Sequence, residues 1–65
     1  MAANPKLKVL IVDDHDIVRK GLARLISRQE DLSVVAEAGT VAEALEKARE
    51  SVPDVVVMDT RLPDG

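Results

Sequence analysis

The sequence predicts a small α/β domain in which parallel strands alternate with helices. Two short apolar runs, at residues 9–12 and 55–58, each lead directly into an aspartate. Such runs are typical of strands that are buried on both faces of a parallel sheet. Between them lie two segments of helical periodicity and one further β-prone run. The resulting order of strand, helix, strand, helix, strand favours a parallel sheet with right-handed crossovers.

The first half of the chain predicts one strand and one helix after a lead-in over residues 1–7. The strand covers residues 8–12. Apolar residues then recur at helical spacing, which predicts a helix over residues 17–28. We expect Asp14 or Asp16 to cap its N-terminus, because an acidic side chain there binds free backbone N–H groups. Gly21 is expected to allow close packing against a strand.

The second half predicts a strand over residues 32–38, a helix over residues 41–51 and a strand over residues 54–58. Thr40 and Glu43 match the capping box, in which a hydroxyl and a carboxylate three residues apart satisfy the first turn. Pro53 ends the helix because proline cannot continue it.

Composition excludes several classes of protein. The 65 residues carry a net charge of −3, with no cysteine and no aromatic residue, so neither a disulfide framework, a thiolate zinc site nor a base-stacking surface is expected. The apolar runs are far shorter than the about 20 residues that cross a bilayer, and the start lacks the apolar core of a signal peptide. We expect a cytoplasmic protein without membrane contact.

Three acids are expected to meet at one edge of the sheet. With the first strand in the centre, the strand order is 2-1-3 and the two helices lie on opposite faces. Asp13 and Asp14 then share the switch-point crevice with Asp59. Carboxylates this close repel one another, and Mg²⁺ relieves the repulsion because it prefers oxygen ligands. A carboxylate beside such a metal is a plausible nucleophile toward phosphorus.

Four segments resemble the receiver domain of bacterial two-component response regulators. They are VLIVDD at 9–14, Ala38-Gly39, PDVVVMD at 53–59 and Leu62-Pro63. The resemblance implies the flavodoxin-like (CheY-like) doubly wound fold. DDHDIVRKGL at 13–22 is most similar to the NarL/LuxR subfamily, whose members carry a C-terminal helix-turn-helix that binds DNA.

The resemblance implies a role for each acid. Asp59 matches the phosphoacceptor, which takes a phosphoryl group from a sensor histidine kinase. Asp14 matches the direct magnesium ligand, and Asp13 matches its neighbour, which acts largely through water. Asp59 and the backbone carbonyl of Arg61 complete the implied metal site. The domain would be no enzyme beyond its own self-catalysed phosphoryl transfer.

The resemblance covers residues 8–65, whereas a family receiver is about twice this length. The strand-four Ser/Thr and the strand-five Lys of the family have no counterpart here. We therefore expect the N-terminal half of a receiver, with DNA binding only through a domain that this sequence does not contain. The third strand would be an open apolar edge, which favours a homo-oligomer.

Two alternatives compete with this interpretation. A haloacid-dehalogenase-type phosphatase would use Asp14 as nucleophile and Asp16 as acid and base, but it leaves Asp13 and Asp59 unexplained. A receiver-like interaction module that never takes phosphate would usually lack part of the acid set. His15, the single histidine, is interpreted as an exposed residue in the first turn of the helix; a phosphohistidine or ligand role is the alternative.

Overall fold

The computed structural model describes residues 6–58 and contains all five predicted elements. Each boundary lies within one residue of its predicted position. The predictions for Asp59, Arg61 and the Leu62-Pro63 turn fall outside the described residues. The elements are β1 (Leu7–Val12), α1 (Asp16–Ser27), β2 (Leu32–Ala38), α2 (Val41–Ser51) and β3 (Val55–Met58).

The three strands form a parallel sheet in the predicted order β2-β1-β3. The central strand β1 ends at Val12, which lies opposite Ala38 of β2 on one side and Met58 of β3 on the other. All three strands therefore end at the same edge of the sheet. This edge is the one at which ligands bind in open α/β sheets.

Strand β1 supplies most of the core. Val9, Leu10, Ile11 and Val12 are each at most 1% exposed. Leu10 and Val12 form an apolar cluster with the alanines of β2 and α2, so α2 covers this face. Since side chains alternate along a strand, Glu37 points to the other face, where it meets Arg19 of α1. The helices therefore lie on opposite faces, as predicted.

The pairing of β1 with β2 contains a bulge that the sequence did not predict. Val9 lies opposite Val34, but Leu10 lies opposite Ala36, which leaves Val35 as an extra residue. A bulge shifts the alternation of the strand that contains it. Here it brings Ala36 and Ala38 onto the face that packs against α2. Small side chains at these positions let the helix approach the sheet closely.

The prediction that β3 is buried on both faces is wrong for the described structure. Val55, Val56 and Met58 are 40–49% exposed. The physical reason is that neither helix packs against β3 within residues 6–58. Hydrogen bonding to β1 therefore buries one edge of the strand, while its faces stay partly open.

The apolar side chains of helix α1 are also less buried than their helical spacing predicted. Ile17 is 87% exposed and Leu25 is 57% exposed. A Cβ built on Gly21 would meet no atom within 4 Å, so the prediction that Gly21 permits close packing is wrong. The apolar stripe is wider than the part of the helix that contacts β1 and β2.

The start of α1 differs from the predicted cap. His15 is the N-cap residue, and its side chain makes no capping hydrogen bond. Asp16 is the first helical residue, and its carboxylate binds Arg19 instead of a backbone N–H. Asp14 lies before the cap and contacts the His15 ring. Neither aspartate is therefore the cap.

Helix α2 begins at Val41, the predicted position. The Thr40 hydroxyl accepts a hydrogen bond from the Glu43 N–H at 3.1 Å, which confirms the first half of the capping box. The Glu43 carboxylate accepts from the Gly39 N–H at 2.9 Å, one residue before the cap. The helix ends at Ser51, and the C-cap residue Val52 has a left-handed φ of 46°. This conformation is unusual for a β-branched residue, and Pro53 follows it.

Two hydrogen bonds join Asp54, the residue before β3, to Lys8 of β1. The Lys8 N–H donates to Asp54 Oδ2 at 2.7 Å, and the Asp54 N–H donates to the Lys8 carbonyl at 2.8 Å. The Lys8 ammonium also donates to the Ser51 carbonyl at 3.0 Å. These contacts fix the register that places Met58 opposite Val12 at the far end of the pair.

Candidate metal centre

Asp13 is the buried acid of the site. It continues β1 toward the sheet edge, because its N–H donates to the Ala38 carbonyl at 3.0 Å. The residue is 6% exposed, and a buried carboxylate is costly unless it is hydrogen-bonded. Asp13 Oδ1 accepts the backbone N–H of His15 at 2.8 Å. The peptide after the pair of acids therefore holds this carboxylate in place.

The next two side chains converge on the same point. His15 Nδ1 lies 3.2 Å from Asp13 Oδ1 and 3.0 Å from Asp14 Oδ1. One ligand atom from each of the three residues lies within 4.8 Å of the others. The side chain of Asp14 is 30% exposed and the ring of His15 is 66% exposed. The predicted exposure of His15 is thus confirmed, but its contacts with both acids were not foreseen.

The arrangement fits a hard divalent cation. Mg²⁺ prefers oxygen ligands, keeps several waters and is often bound through one or two carboxylates. Asp13 and Asp14 offer two carboxylates side by side. The Asp13 carboxylate is held by the His15 N–H, and the Asp14 carboxylate is exposed enough for water to reach it. Asp13 and Asp14 would hold the ion here.

The structure brings together the part of the predicted site that it describes. Asp13 and Asp14 are neighbours at the carboxyl end of β1. Asp59 and Arg61 lie outside the described residues. Met58, which precedes Asp59 in the sequence, lies opposite Val12, which precedes Asp13.

Arg19 is a residue of this region that sequence reasoning missed. Its Nη1 donates to the Asp13 carbonyl at 2.8 Å, its Nη2 to Asp16 at 2.6 Å and its Nε to Glu37 at 3.3 Å. The side chain is 16% exposed. The hydrogen bond to Asp16 raises the pKa of Arg19, and the charges of Asp16 and Glu37 add to that effect. The spacing of Asp16 and Arg19 along a helix could have indicated the first pair, but no pattern in the sequence indicates the bond to Asp13.

Gly39 lies where Arg19 crosses the end of β2. A Cβ at this position would stand 3.3 Å from Arg19 Nη1 and 3.4 Å from Glu43 Oε1. Glycine therefore lets the guanidinium reach the Asp13 carbonyl without displacement.

A buried acid, a neighbouring acid and a parallel sheet with order 2-1-3 together define a switch-point acid site. The chain belongs to the response regulator receiver domain family, whose model matches residues 9–65. Receiver domains of this family generally bind Mg²⁺ in an acidic pocket. Family membership rules out the haloacid-dehalogenase interpretation, and the Asp16 carboxylate that it needed is paired with Arg19.

Similar proteins point to one subfamily. The DNA-binding transcriptional activator DevR/DosR of Mycobacterium tuberculosis is 52% identical over 59 residues, which cover 91% of this chain and 27% of that protein. The crystal structure of a LuxR-family two-component response regulator from Aurantimonas sp. SI85-9A1 matches with a TM-score of 0.84 and 50% identity, covering 89% of this chain and 41% of that one.

The signal receiver domain of the putative response regulator NarL from M. tuberculosis matches with a TM-score of 0.87 and 38% identity, over 92% of this chain and 48% of that one. The NarL/LuxR resemblance is confirmed. The curated relatives are mostly described as response regulators or transcriptional regulators, and one is described as a methylesterase. The chain spans about a quarter of the length of the first relatives, at 27% of each.

No helix within residues 6–58 is long and apolar enough to cross a membrane.

Proposed function

We propose that this chain is a phosphoacceptor receiver module in which Asp59 takes a phosphoryl group from a sensor histidine kinase. Asp13, Asp14, Asp59 and the backbone carbonyl of Arg61 would together hold Mg²⁺. The supporting observation is the register of β1 with β3, in which Val12 and Met58 are partners. The residues that follow them in the sequence are Asp13 and Asp59.

The chemistry is a displacement at phosphorus. An Asp59 carboxylate oxygen attacks the phosphorus of the kinase phosphohistidine, an O–P bond forms and the N–P bond breaks. The released imidazole nitrogen takes up a proton, and Asp59 becomes an acyl phosphate. A bound divalent cation offsets the charge of the phosphoryl oxygens. Asp13 contributes a carboxylate that is already held by the His15 N–H, so little reorganisation is needed.

The output would lie in the parent protein. Relatives that are described as transcriptional regulators suggest a cytoplasmic, DNA-binding parent whose DNA-binding region is separate from these residues. The receiver itself would be no enzyme apart from its own phosphoryl transfer. A module that binds partners without phosphate is the remaining alternative, and phosphoryl labelling of the chain distinguishes the two.

The test is labelling of the chain by acetyl phosphate, with and without Mg²⁺, followed by intact mass and by borohydride trapping of the acyl phosphate. We expect labelling that depends on Mg²⁺ and maps to Asp59. Asp59→Asn should abolish it, and Asp14→Asn should require more Mg²⁺.

The matched control is Asp31→Asn, which removes one carboxylate in the loop before β2. It should leave labelling unchanged. Labelling that survives Asp59→Asn, or a folded chain that takes no phosphate, would contradict the proposal and favour the interaction module.

A further inference from the structure

The Arg19 side chain reaches from α1 to the main chain of the acid pair. Its Nη1 donates to the Asp13 carbonyl at 2.8 Å. The side chain is 16% exposed, which is low for an arginine. Attachment of α1 to the sheet does not require this bond, because Arg19 Nε already joins α1 to Glu37 of β2. The bond to the carbonyl therefore calls for a separate explanation.

The bond to the carbonyl fixes the peptide that joins Asp13 to Asp14. A peptide unit is planar, so the direction of the Asp13 carbonyl also sets the direction of the Asp14 N–H. The following peptide is held as well, because the His15 N–H donates to Asp13 Oδ1 at 2.8 Å. Asp14 thus lies between two peptides of fixed orientation. Its Cα–Cβ bond, and with it the carboxylate, leaves the chain in a set direction.

The guanidinium is itself held in the position from which it reaches the carbonyl. Nη2 donates to Asp16 at 2.6 Å and Nε donates to Glu37 at 3.3 Å. Because the guanidinium is planar and rigid, these two bonds fix where Nη1 points. The two carboxylates also outweigh the single positive charge of Arg19. The group therefore orients the main chain without leaving a net positive charge beside a cation site.

We propose that Arg19 is a positioning residue for the metal site: by holding the Asp13 carbonyl, it orients Asp14 as a ligand before the ion arrives. The inference rests on the proposed function, because it concerns the same two carboxylates. Loss of an outer group that orients a metal ligand typically costs 10–100-fold in affinity. Arg19 acts through the main chain, so its loss should cost about tenfold, at the lower end of that range.

The experiment measures Mg²⁺ affinity and backbone chemical shifts of the whole chain. Arg19→Met keeps the apolar stem of the side chain and removes all its hydrogen bonds. Loss of a positive charge would by itself favour cation binding, whereas loss of positioning should weaken Mg²⁺ binding by about tenfold. The two effects have opposite signs. The Asp13 ¹³C′ and Asp14 ¹⁵N shifts should also move in the metal-free chain, because both nuclei belong to the peptide that loses its bond.

Two control variants separate positioning from charge and from stability. Arg24→Met removes the same charge from the exposed part of α1 and should not weaken Mg²⁺ binding. Ile11→Val destabilises the buried core of β1 while Arg19 keeps its bonds. At a temperature where each variant is folded, its Mg²⁺ affinity should equal that of the wild type.

The results distinguish this inference from the proposed function. Mg²⁺ affinity in Arg19→Met that equals or exceeds the wild-type value, or an unchanged Asp13 ¹³C′ shift, would overturn the inference while wild-type binding still supports the proposed function. An equal loss of affinity in Ile11→Val would also overturn it, because the loss would then follow stability. A wild-type chain that binds no Mg²⁺ would overturn both. If Arg19→Met does not fold, Arg19→Lys decides by the same two measurements, since its ammonium pairs with the carboxylates in preference to the neutral carbonyl.

Discussion

At the scale of the residue, burial rather than residue type decides what each side chain contributes. Ile11 in β1 is 0% exposed, whereas Ile17 in α1 is 87% exposed. Both are isoleucines in regular secondary structure, so the same substitution at the two positions compares a buried site with an exposed one. Removing one methylene from a packed site costs the transfer free energy and leaves a cavity, while the same change at an exposed site costs little.

Ile11→Val should therefore lower the free energy of unfolding by about 1 kcal/mol. Ile17→Val should change it by less than about 0.5 kcal/mol. Urea unfolding followed by circular dichroism measures both. Equal losses in the two variants would show that α1 is packed on its outer side as well.

Single residues also show which contacts could be predicted from the sequence and which could not. The adjacency of Asp13 and Asp14 at the end of a strand could be predicted, because strand and turn signals depend on local sequence. The contact of His15 with both acids could not, since it depends on the rotation of one ring. The reach of Arg19 to the Asp13 carbonyl depends on how α1 crosses β2, which no local pattern specifies.

At the scale of the element, the two helices are attached to the sheet in different ways. Helix α2 packs through alanines and apolar residues of the sheet. Helix α1 has no buried residue and is tied by Arg19 to the end of β1 and to Glu37 of β2. The stability that such polar contacts contribute depends on hydrogen-bond geometry more than on the area buried.

Arg19→Lys should therefore destabilise the chain by about 1 kcal/mol. A lysine keeps the charge but cannot bind the Asp13 carbonyl and two carboxylates together. Arg24→Lys on the exposed part of the same helix is the control and should be neutral. Thermal or urea unfolding of both variants checks this, and equal stability of Arg19→Lys with wild type would contradict it.

The pH dependence of the Arg19 contribution follows from its pKa, which is raised above the ordinary value for arginine chiefly by the hydrogen bond to Asp16. A raised pKa in the folded state means stability that is present below the unfolded pKa and is lost only as the pH rises through the folded value. The Arg19 contribution itself should thus be constant across neutral and mildly alkaline pH.

The order and type of the elements could be predicted because apolar periodicity and the right-handed crossover leave few arrangements. The Val35 bulge could not, since the run LSVVAEA is equally compatible with an unbroken strand. The exposure of Ile17 and Leu25 was also missed. Periodicity identifies residues that share a face but not whether another element covers that face.

At the scale of the whole molecule, the described part of the receiver fold leaves apolar surface open on β3 and α1. Val55, Val56 and Met58 on β3 are each at least 40% exposed. Open strands with apolar side chains tend to pair with other chains. We therefore expect the chain to self-associate through β3.

Val56→Lys should shift the chain toward monomer, because a lysine on an edge strand opposes pairing. Light scattering across a concentration series measures the change. Leu45→Lys on α2 makes the same charge change at a residue that is also exposed, away from β3, and should not alter association. A wild-type chain that is monomeric at high concentration would refute the expectation.

The contacts between Lys8 and Asp54 also constrain the order of events during synthesis. The two residues are 46 positions apart, so one edge of β1 stays unpaired until Asp54 has left the ribosome. Contacts of such long range form late because the intervening loop must first be closed. The second helix can pack on β1 and β2 earlier. Among the described elements, β3 would then be the last to join the sheet, and the register that places Met58 opposite Val12 would form only at that step.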